Sequence, residues 1–397
     1  MSFFKSEEIQ LHKKKINKDD LNKYLLDEKS LKNILSSKKN VLLVEPNYKR
    51  KYIPLGLAKI SSYIKQNNGK TTFARNYIKN QKFDCVCITS LFTYDSEIVL
   101  RAIDRCRSYY KNVPIIVGGI YASLMPDHLL SNVQSDKNIY IFRGCSDFLD
   151  NTAADYSVDW NLQVPWNDFS FCFTTRGCPN KCGYCAVWRI EPEKIIIKNW
   201  KEQIVDSKAN VMISDNNLSA QSKKHISNVL DFLIEINKHV VFDNGVDCKL
   251  VDDFFAQKIS KIKFYKTGMR LAFDRIEEDV VFQNAIERLL KAGVHKGNVM
   301  AYVLFNFNDS PKEADYRARE CVKLGIRPYP QRYTPLNYSS RKNISFIGKK
   351  WSEELVKAFR HFWLMGGLFR KMEFKDYIQT KNQFNITDKD IDLYNSN

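Results

Sequence analysis

The chain has 397 residues, of which 44% are hydrophobic and 13% aromatic, enough apolar material for two folded domains and too much for a disordered chain. No segment reaches the roughly 18 to 20 apolar residues of a membrane span and the N-terminus lacks a signal-peptide pattern, so we expect a cytoplasmic protein with no membrane partner. The 62 Lys and Arg exceed the 45 Asp and Glu by 17, which admits a nucleic-acid partner without favouring one, because the charge is spread along the chain.

Residues 1–39 form a charged segment that we interpret as an N-terminal helical extension. Its densest positive run, residues 12–18, favours a solvated helix face over a binding arm. From residue 40 to about 150, apolar runs of strand length alternate with helical periodicity. This alternation predicts a parallel sheet with helices on both faces, a doubly wound, Rossmann-like domain. The interval 66–84 looks short for a complete unit of such a sheet.

Residues 151–168 are read as a linker, and a second α/β series follows over residues 169–340. Its strand candidates begin with FSFCFTT and end with RPYPQRYTP, about six strand-helix units in all, which predicts a partial (β/α)6 barrel. Residues 341–397 are predicted to be a helical C-terminal region. Within it, the aromatic-rich stretch FRHFWLMGGLFR favours core packing over a cofactor site.

The segment RGCPNKCGYC places Cys178, Cys182 and Cys185 in a C-x3-C-x2-C pattern directly after a strand. Gly177 and Gly183 permit the tight turns that bring three sulfurs around one centre. Ten cysteines in a reducing compartment are better read as ligands and buried thiols than as disulfides. Three ligands suit a four-iron cluster with one open iron, and the alternative of a structural zinc ion normally needs a fourth protein ligand.

The motif RGCPNKCGYC resembles the signature of the radical S-adenosylmethionine (SAM) superfamily. The resemblance implies that the three cysteines hold a [4Fe-4S] cluster whose open iron binds SAM. It also implies that Tyr184 lies against the adenine of SAM, and that a reductant such as flavodoxin or ferredoxin supplies the electron. One-electron cleavage of SAM would then give a 5′-deoxyadenosyl radical inside a dry barrel.

Polar residues follow the predicted strands of the second series, where parallel folds place their chemistry. The candidates for contacts with SAM are Tyr184, Ser214, Asp215, Asn216, Asp243 and Arg270, with Asp274 as a partner of the arginine. The candidates for contacts with substrate are Asn217, Asp247, Arg327, Tyr329, Gln331, Arg332 and Tyr333. Against each candidate stands a structural alternative, because Asp and Asn are common turn and helix-cap residues. No catalytic acid or base is predicted.

The first series is similar to the cobalamin-binding domain that precedes many radical SAM enzymes, through PLGLAKISSYI and VGGIYASLMP. The D-x-H-x-x-G motif of histidine-ligated members is missing, since the chain reads EPNYKRKYIPLG and has no histidine between Lys13 and Asp127. We therefore expect a degenerate domain that has kept the fold and lost the corrinoid. Cys85 and Cys87 alternate in an apolar strand and are predicted to be buried thiols.

Taken together, SLFTYDSE, GGIYASLMP, RGCPNKCGYC and RPYPQRYTPL are similar to the queuine lyases, over most of residues 40–370. The resemblance implies that the radical takes a hydrogen atom from the ribose of queuosine or its 5′-phosphate and that the base queuine is released. A cobalamin-dependent radical SAM methyltransferase is the main alternative. Methylthiolation of tRNA is disfavoured because a second cysteine triad is missing, and a further alternative is a protein that senses SAM or the cluster without turnover.

Overall fold

The protein is described by a computed structural model that covers residues 18–49, 51–340, 346–365, 367–380 and 383–395. The positive run at 12–17 lies outside these ranges. The chain divides into two compact units, of which the first contains the residues up to 167 together with 336–344 and the second contains 168–335 and 345–397. In the covered ranges, no helix is both long and apolar enough to cross a membrane.

The first unit contains a six-stranded sheet in which every described strand pair is parallel. Its strands are β1 (Leu25–Leu26), β2 (Asn40–Val44), β3 (Lys70–Ala74), β4 (Cys85–Ser90), β5 (Ile115–Gly119) and β6 (Ile139–Phe142). They lie side by side in the order β1-β6-β5-β4-β2-β3. Strands β2 and β4 are almost entirely buried, as expected for a parallel sheet with both faces covered.

The helices of the first unit connect these strands. They are α1 (Lys18–Leu21), α2 (Glu28–Ser37), α3 (Leu55–Gln66), α4 (Ser96–Tyr109), α5 (Ile120–Leu124), α6 (Pro126–Asn132) and α7 (Asp147–Asp150). Helix α4 buries Val99, Ile103 and Cys106, whose spacing of three and four residues puts them on one face. These side chains belong to the same core cluster as the sheet residues Val86 and Val117.

Four details of the first unit differ from the sequence interpretation. The predicted helical extension also supplies β1, which pairs in parallel with β6. Strand β3 occupies the interval that looked too short. The predicted linker packs within the unit, because Trp160 is only 3% exposed and its Nε1 donates to the Asp155 carbonyl at 2.7 Å. Residues 336–340 also lie with this unit rather than with the predicted barrel region.

The second unit contains two three-stranded parallel sheets and one short antiparallel pair. Its strands are β7 (Phe169–Cys172), β8 (Thr175–Arg176), β9 (Ile195–Ile196), β10 (Asn210–Ile213), β11 (His239–Phe242), β12 (Met269–Ala272), β13 (Val299–Phe305) and β14 (Arg327–Arg332). The parallel sheets have the orders β11-β10-β7 and β12-β13-β14, and β8 pairs with β9. Isolated parallel bridges join Val240 of β11 to Phe264, which precedes β12, and Val246, which follows β11, to Leu271 of β12.

The helices of the second unit lie between these strands and after the last of them. They are α8 (Val187–Ile190), α9 (Lys223–Glu235), α10 (Asp253–Ile259), α11 (Asp279–Lys291), α12 (Pro311–Lys323), α13 (Glu353–Leu364), α14 (Phe374–Gln379) and α15 (Asp388–Asn395). Helix α12 begins with a capping box between Ser310 and Glu313. Phe359, Phe362 and Trp363 of α13 are buried in the same core as the sheets, which confirms core packing for the aromatic-rich stretch.

Short 3-10 helices lie between the longer elements. They are Thr93–Asp95, Trp166–Asp168, Lys201–Gln203, Leu218–Ala220, Cys248–Leu250, Ile276–Glu278, Lys296–Asn298 and Leu368–Arg370. Every apolar run that the sequence analysis interprets as a strand contains a strand in the structure. The predicted mixed α/β class with parallel sheets is therefore confirmed.

Candidate functional site

The three motif cysteines lie on a loop, residues 177–185, that we call the cysteine loop. The loop follows β8, and the chain then passes through α8 to β9. Strand β9 pairs with β8, with Thr175 opposite Ile196. Cys178, Cys182 and Cys185 are each half-buried. The loop therefore extends from the β8–β9 pair, and its three thiols are partly exposed to solvent.

The start of the cysteine loop is fixed by Gly177 and Glu191. Gly177 has a φ of 78°, and a Cβ at this position would overlap the Glu193 carbonyl oxygen. The Gly177 amide donates to Glu191 Oε2 at 3.0 Å, and Asn216 Nδ2 donates to the same oxygen at 2.5 Å. Arg176 completes the set, with 3.5 Å between its Nη1 and Glu191 Oε1. Asn216, predicted to contact SAM, therefore anchors the loop in this structure.

Asp215 lies at the end of β10 and is buried, with 4% of its surface exposed. Its Oδ1 accepts from the backbone amides of Thr174 at 2.5 Å and Thr175 at 3.1 Å. Its Oδ2 accepts from both threonine hydroxyls. Burial raises the pKa of Asp215, although these hydrogen bonds favour the ionised form. Both oxygens of this predicted SAM ligand are thus engaged within the protein.

Asn217, predicted to bind substrate, contacts a motif cysteine. Its Nδ2 lies 3.6 Å from Cys178 Sγ, and its Oδ1 accepts from Ser219 Oγ at 2.8 Å. Ser219 Oγ in turn accepts from the Asp247 amide at 3.3 Å. Because Asn217 Oδ1 is held by a donor, its amide nitrogen faces the Cys178 sulfur.

The middle of the cysteine loop is held by Asp247, another predicted substrate residue. Asn180 Nδ2 donates to Asp247 Oδ2 at 2.8 Å, while Asp247 Oδ1 caps the following 3-10 helix by accepting from the Lys249 amide at 3.1 Å. Asp247 follows β11, so a second strand end contributes to the anchoring of the loop. Both carboxylate oxygens of Asp247 are engaged.

Tyr184 anchors the far end of the loop to a third strand end. Its hydroxyl donates to Asp274 Oδ2 at 2.7 Å, directly after β12. Burial and the nearby Asp274 carboxylate raise the pKa of Tyr184, and burial raises the pKa of Asp274. The Tyr184 ring meets Phe307 edge-on at 5.6 Å between centroids, and Phe307 continues to Tyr333 at 4.5 Å. These rings form an aromatic series beside the cysteines.

Helix α8 closes the loop with hydrogen bonds to its last residues. Cys185 Sγ accepts from the Val187 amide at 3.4 Å. Trp188 Nε1 donates to the Cys182 carbonyl at 2.9 Å, and Arg189 Nη1 donates to the Cys185 carbonyl at 3.0 Å. The backbone around the second and third cysteines is therefore ordered by the helix that follows.

The three thiols are close enough to act on one another. Burial raises the pKa of Cys185, and the charges of Cys182 and Cys178 raise it further. Among the described residues, no three His, Cys, Asp or Glu side chains are placed to hold a metal ion. In a four-iron cluster each cysteine ligates a different iron, so the sulfurs surround the cluster instead of converging on one ion. The donor set, three thiols on one ordered loop, is therefore compatible with cluster ligation.

Arg270, within β12, forms an ion pair with Asp243, which follows β11. Arg270 Nη1 also lies 2.9 Å from the Tyr302 hydroxyl, which donates to the Asp243 carbonyl at 3.1 Å. Burial raises the pKa of Tyr302 to about 12. The charge of Arg270 is balanced by Asp243, so this predicted pair of SAM contacts is joined within the protein. Tyr329 packs edge-on against Tyr302 at 5.9 Å between ring centroids.

The remaining predicted residues are less closely tied to the cysteines. The Ser214 amide donates to the Cys172 carbonyl at 2.8 Å and so adds one more backbone hydrogen bond between β10 and β7. On β14, Arg327 and Gln331 are exposed and alternate with buried Pro328 and Pro330. The Arg332 Nη2 donates to the Phe346 carbonyl at 3.2 Å, and Tyr333 packs edge-on against the Phe346 ring. Strand alternation therefore puts Arg327, Tyr329 and Gln331 on one face of β14 and Arg332 on the other.

The corresponding edge of the first unit does not fit a histidine-ligated corrinoid. After β2, Glu45 is ion-paired with Arg75. The Tyr48 hydroxyl, on a side chain only 5% exposed, accepts from the Leu91 amide at 2.9 Å. These polar groups are already engaged within the unit. Burial raises the pKa of Tyr48, which keeps the phenol neutral.

Residues 336–340 engage polar groups of the first unit near the end of β4. Ser96 Oγ, at the start of α4, donates to the Ser339 carbonyl. Ser340 Oγ donates to Glu97 Oε1 at 2.7 Å. Cys85 and Cys87 are 0% and 1% exposed, which confirms that they are buried thiols.

Several residues of the site were missed from the sequence. They are Thr174, Thr175, Glu191, His225, Tyr302 and Phe307. Tyr302 carries a usable signal, because it is the polar side chain in the apolar strand VMAYVLF. The others lack one, since their roles depend on contacts with residues far away in the chain.

A comparison of the sequence with protein-family models finds no match. A comparison with curated proteins finds no significant match either. The resemblances noted for the cysteine motif and for the first unit therefore stay predictions.

Proposed function

We propose that the chain is a radical SAM enzyme that acts on a nucleoside and releases queuine from queuosine or its 5′-phosphate. One observation carries the proposal. A single three-cysteine loop is anchored by side chains that follow three successive strands of the second unit, namely Asn217, Asp247 and Asp274. Loops at the carboxyl ends of parallel strands are where such folds carry their chemistry, so the anchoring has a functional rationale.

The strand arrangement supports a finer description of each unit. The orders β11-β10-β7 and β12-β13-β14, with isolated parallel bridges from the β11 region to the β12 region, support a partial six-stranded barrel. The order β1-β6-β5-β4-β2-β3 supports a doubly wound, Rossmann-like first unit of the cobalamin-binding type without the corrinoid. We also propose a cytoplasmic location, because reduced thiols persist there.

The chemistry assigns distinct tasks to the residues of the site. Cys178, Cys182 and Cys185 would hold a [4Fe-4S] cluster, which would supply the electron for reductive cleavage of SAM and hence the radical chemistry that removal of a hydrogen atom from the substrate ribose requires. Tyr184, fixed by Asp274, orients the loop and offers an aromatic surface beside the cysteines.

Two further groups suit a nucleoside. The Tyr184, Phe307 and Tyr333 rings pack against one another beside the cysteines, and planar bases stack on such rings. The Asp243, Arg270 and Tyr302 group brings an acceptor and donors together from neighbouring strands. Such a balanced group suits the hydroxyls of a sugar better than an additional anion.

The proposal is tested by anaerobic turnover. The reconstituted protein is incubated with SAM, dithionite and queuosine or its 5′-phosphate, and 5′-deoxyadenosine and free queuine are followed together by mass spectrometry. We expect both products from the wild type and neither from Cys182→Ala. Cys145→Ala is the matched control, because Cys145 is also half-buried but belongs to the first unit and is not part of the three-cysteine motif.

The outcomes separate the parts of the proposal. Formation of 5′-deoxyadenosine without queuine would retain the radical chemistry and reject the substrate. Absence of both products from a preparation with full iron content would reject the radical SAM assignment. Equal activity in Cys182→Ala and wild type would show that the loop does not carry the reaction.

A further inference from the structure

We infer that Asp215 is a positioning residue that sets the approach to the cysteine loop, instead of the SAM ligand that its strand-end location predicts. The inference rests on the proposed function in one respect, namely that the loop holds a cluster. Its structural basis is independent of that function, since Asp215, Thr174 and Thr175 are all buried and joined by hydrogen bonds.

The carboxylate of Asp215 continues the sheet beyond its last backbone contact. Strands β7 and β10 pair in register up to Cys172 and Ile213, and the Ser214 amide makes one more bond to the Cys172 carbonyl. Beyond this point Thr174 and Thr175 have no backbone acceptor from β10. Asp215 Oδ1 accepts from both of their amides, so the side chain takes the place of a strand neighbour.

The second carboxylate oxygen fixes the two threonine side chains. Thr174 Oγ1 and Thr175 Oγ1 both donate to Asp215 Oδ2. Since the Thr174 hydroxyl donates its proton to Asp215, it accepts from His225 Nε2, which lies 3.0 Å away. Burial lowers the pKa of His225, so the ring is neutral and carries its proton on Nε2. Thr174 is thereby held from both sides.

This arrangement bears directly on the first motif cysteine. Thr175 begins β8, and only Arg176 and Gly177 separate it from Cys178. A change in the backbone direction at Thr174 or Thr175 would therefore shift Cys178, because Arg176 and Gly177 are both held by Glu191. Asp215 therefore acts on the cysteine loop through the threonines, without contact with the ligand atoms.

Asp215 accepts four hydrogen bonds, from the amides and hydroxyls of Thr174 and Thr175, so replacing one carboxylate oxygen by an NH2 group should disturb the site. Asp215→Asn keeps the shape of the side chain but places an NH2 group against N–H and O–H donors, so at least one buried donor is left without an acceptor. Thr174→Val removes one hydroxyl at nearly constant volume, whereas Thr174→Ser keeps it. Asp315→Asn is the matched control, because Asp315 is a buried carboxyl of the same unit on α12, away from the loop.

Amide hydrogen exchange of the cluster-free protein is the first measurement. In Asp215→Asn we expect the peptide that contains Thr174 to Cys185 to exchange about tenfold faster than in the wild type. Thr174→Val should show a smaller increase, and Thr174→Ser and Asp315→Asn none in this peptide. If the loop peptide of folded Asp215→Asn exchanges at the wild-type rate, the positioning role is refuted. If Asp215→Asn does not fold, the pair Thr174→Val and Thr174→Ser decides in the same way.

The second measurement is made after anaerobic reconstitution with iron and sulfide. We expect Asp215→Asn to retain several-fold less iron and to show an altered electron paramagnetic resonance spectrum after reduction, while Thr174→Ser and Asp315→Asn match the wild type. Wild-type iron content and spectrum in Asp215→Asn would overturn the link to the cluster. If the wild type itself takes up no cluster, the proposed function fails, and the exchange experiment still decides the role of Asp215.

Discussion

The carboxyl edges of the two parallel sheet regions are used differently. In the first unit the polar groups of this edge pair with the unit's own chain, as Glu45 does with Arg75 and Ser96 with residue 339. In the second unit the same kinds of group hold a loop with three half-buried thiols. The same arrangement of strands and helices can therefore engage its strand-end side chains within the sheet region or use them to hold a loop with half-buried thiols.

The largest effect is expected from two glycines that occupy equivalent roles at these edges. Gly177 and Gly119 both have positive φ, and a Cβ would overlap the carbonyl oxygen of Glu193 at the first and of Ser90 at the second. Each alanine variant should introduce about 3 kcal/mol or more of local strain. We expect Gly177→Ala to lose nearly all bound iron after reconstitution, and Gly119→Ala to keep wild-type iron per folded chain while its first unit is destabilised.

Iron analysis together with thermal unfolding checks this pair of variants. A Gly119→Ala protein that is folded but lacks iron would break the distinction between the two edges. A Gly177→Ala protein with full iron content would show that the cysteine loop tolerates another path.

The overall fold could be predicted from the sequence because apolar runs such as VLLV and VMAYVLF are read locally. The two-residue strand β1 could not, since Leu25 and Leu26 have no periodicity and pair with β6 more than one hundred residues later in the chain. The cysteine spacing indicated where the site lies. The role of Asp215 could not be read, because the same residue type serves as a ligand or as a cap, and its donors lie 41 residues away.

The two units also differ in how they satisfy a buried carboxyl, which predicts opposite responses to pH. Burial alone would raise the pKa of Asp155 in the first unit, but hydrogen bonds from Lys65, Ser157 and Ser61 outweigh burial and lower it. In the second unit burial raises the pKa of Asp315 to about 7, and its nearest donor is the Tyr394 hydroxyl at 3.4 Å.

The signs follow from the number of protons bound. Between an unfolded value of about 3.9 and a folded value of about 7, the folded protein binds more protons at Asp315 than the unfolded chain, so its stability falls as pH rises through this window. The free energy of unfolding of Asp315→Asn minus that of the wild type should therefore be about 3 kcal/mol more positive at pH 8 than at pH 4.

Asp155→Asn is the opposing variant. The lowered pKa of Asp155 stabilises the fold above the unfolded value, and this contribution is lost as pH falls through the folded one. The loss of stability in Asp155→Asn should thus be greatest near neutral pH and shrink in acid. Urea unfolding of both variants from pH 4 to pH 8 tests the contrast, and parallel pH profiles would contradict it.

The smallest effect is expected at the hydrogen bond between Tyr184 and Asp274. In the proposed function, Tyr184→Phe and Asp274→Ala should each weaken SAM binding to the reconstituted protein about fivefold, because each frees the same side chain from its anchor. The double variant should be no worse than either single one, which corresponds to a coupling of about 1 kcal/mol.

Asp274→Asn is the matched control for this cycle, since it keeps an acceptor oxygen for the Tyr184 hydroxyl. It should bind SAM nearly as the wild type does in calorimetric titration. Additive losses in the double variant would show that the hydrogen bond does not act as a unit and that the aromatic series is held mainly by packing against Phe307.

Strand β14 has a consequence for the behaviour of the protein at high concentration. It pairs with β13, and the Tyr333 amide donates to Phe305, so the alternate positions 328, 330 and 332 point their backbone nitrogens away from β13. Two of these three positions are Pro328 and Pro330, which have no N–H to offer. A strand from another molecule would find few donors there, so the border of this sheet resists the edge-to-edge association from which aggregates grow.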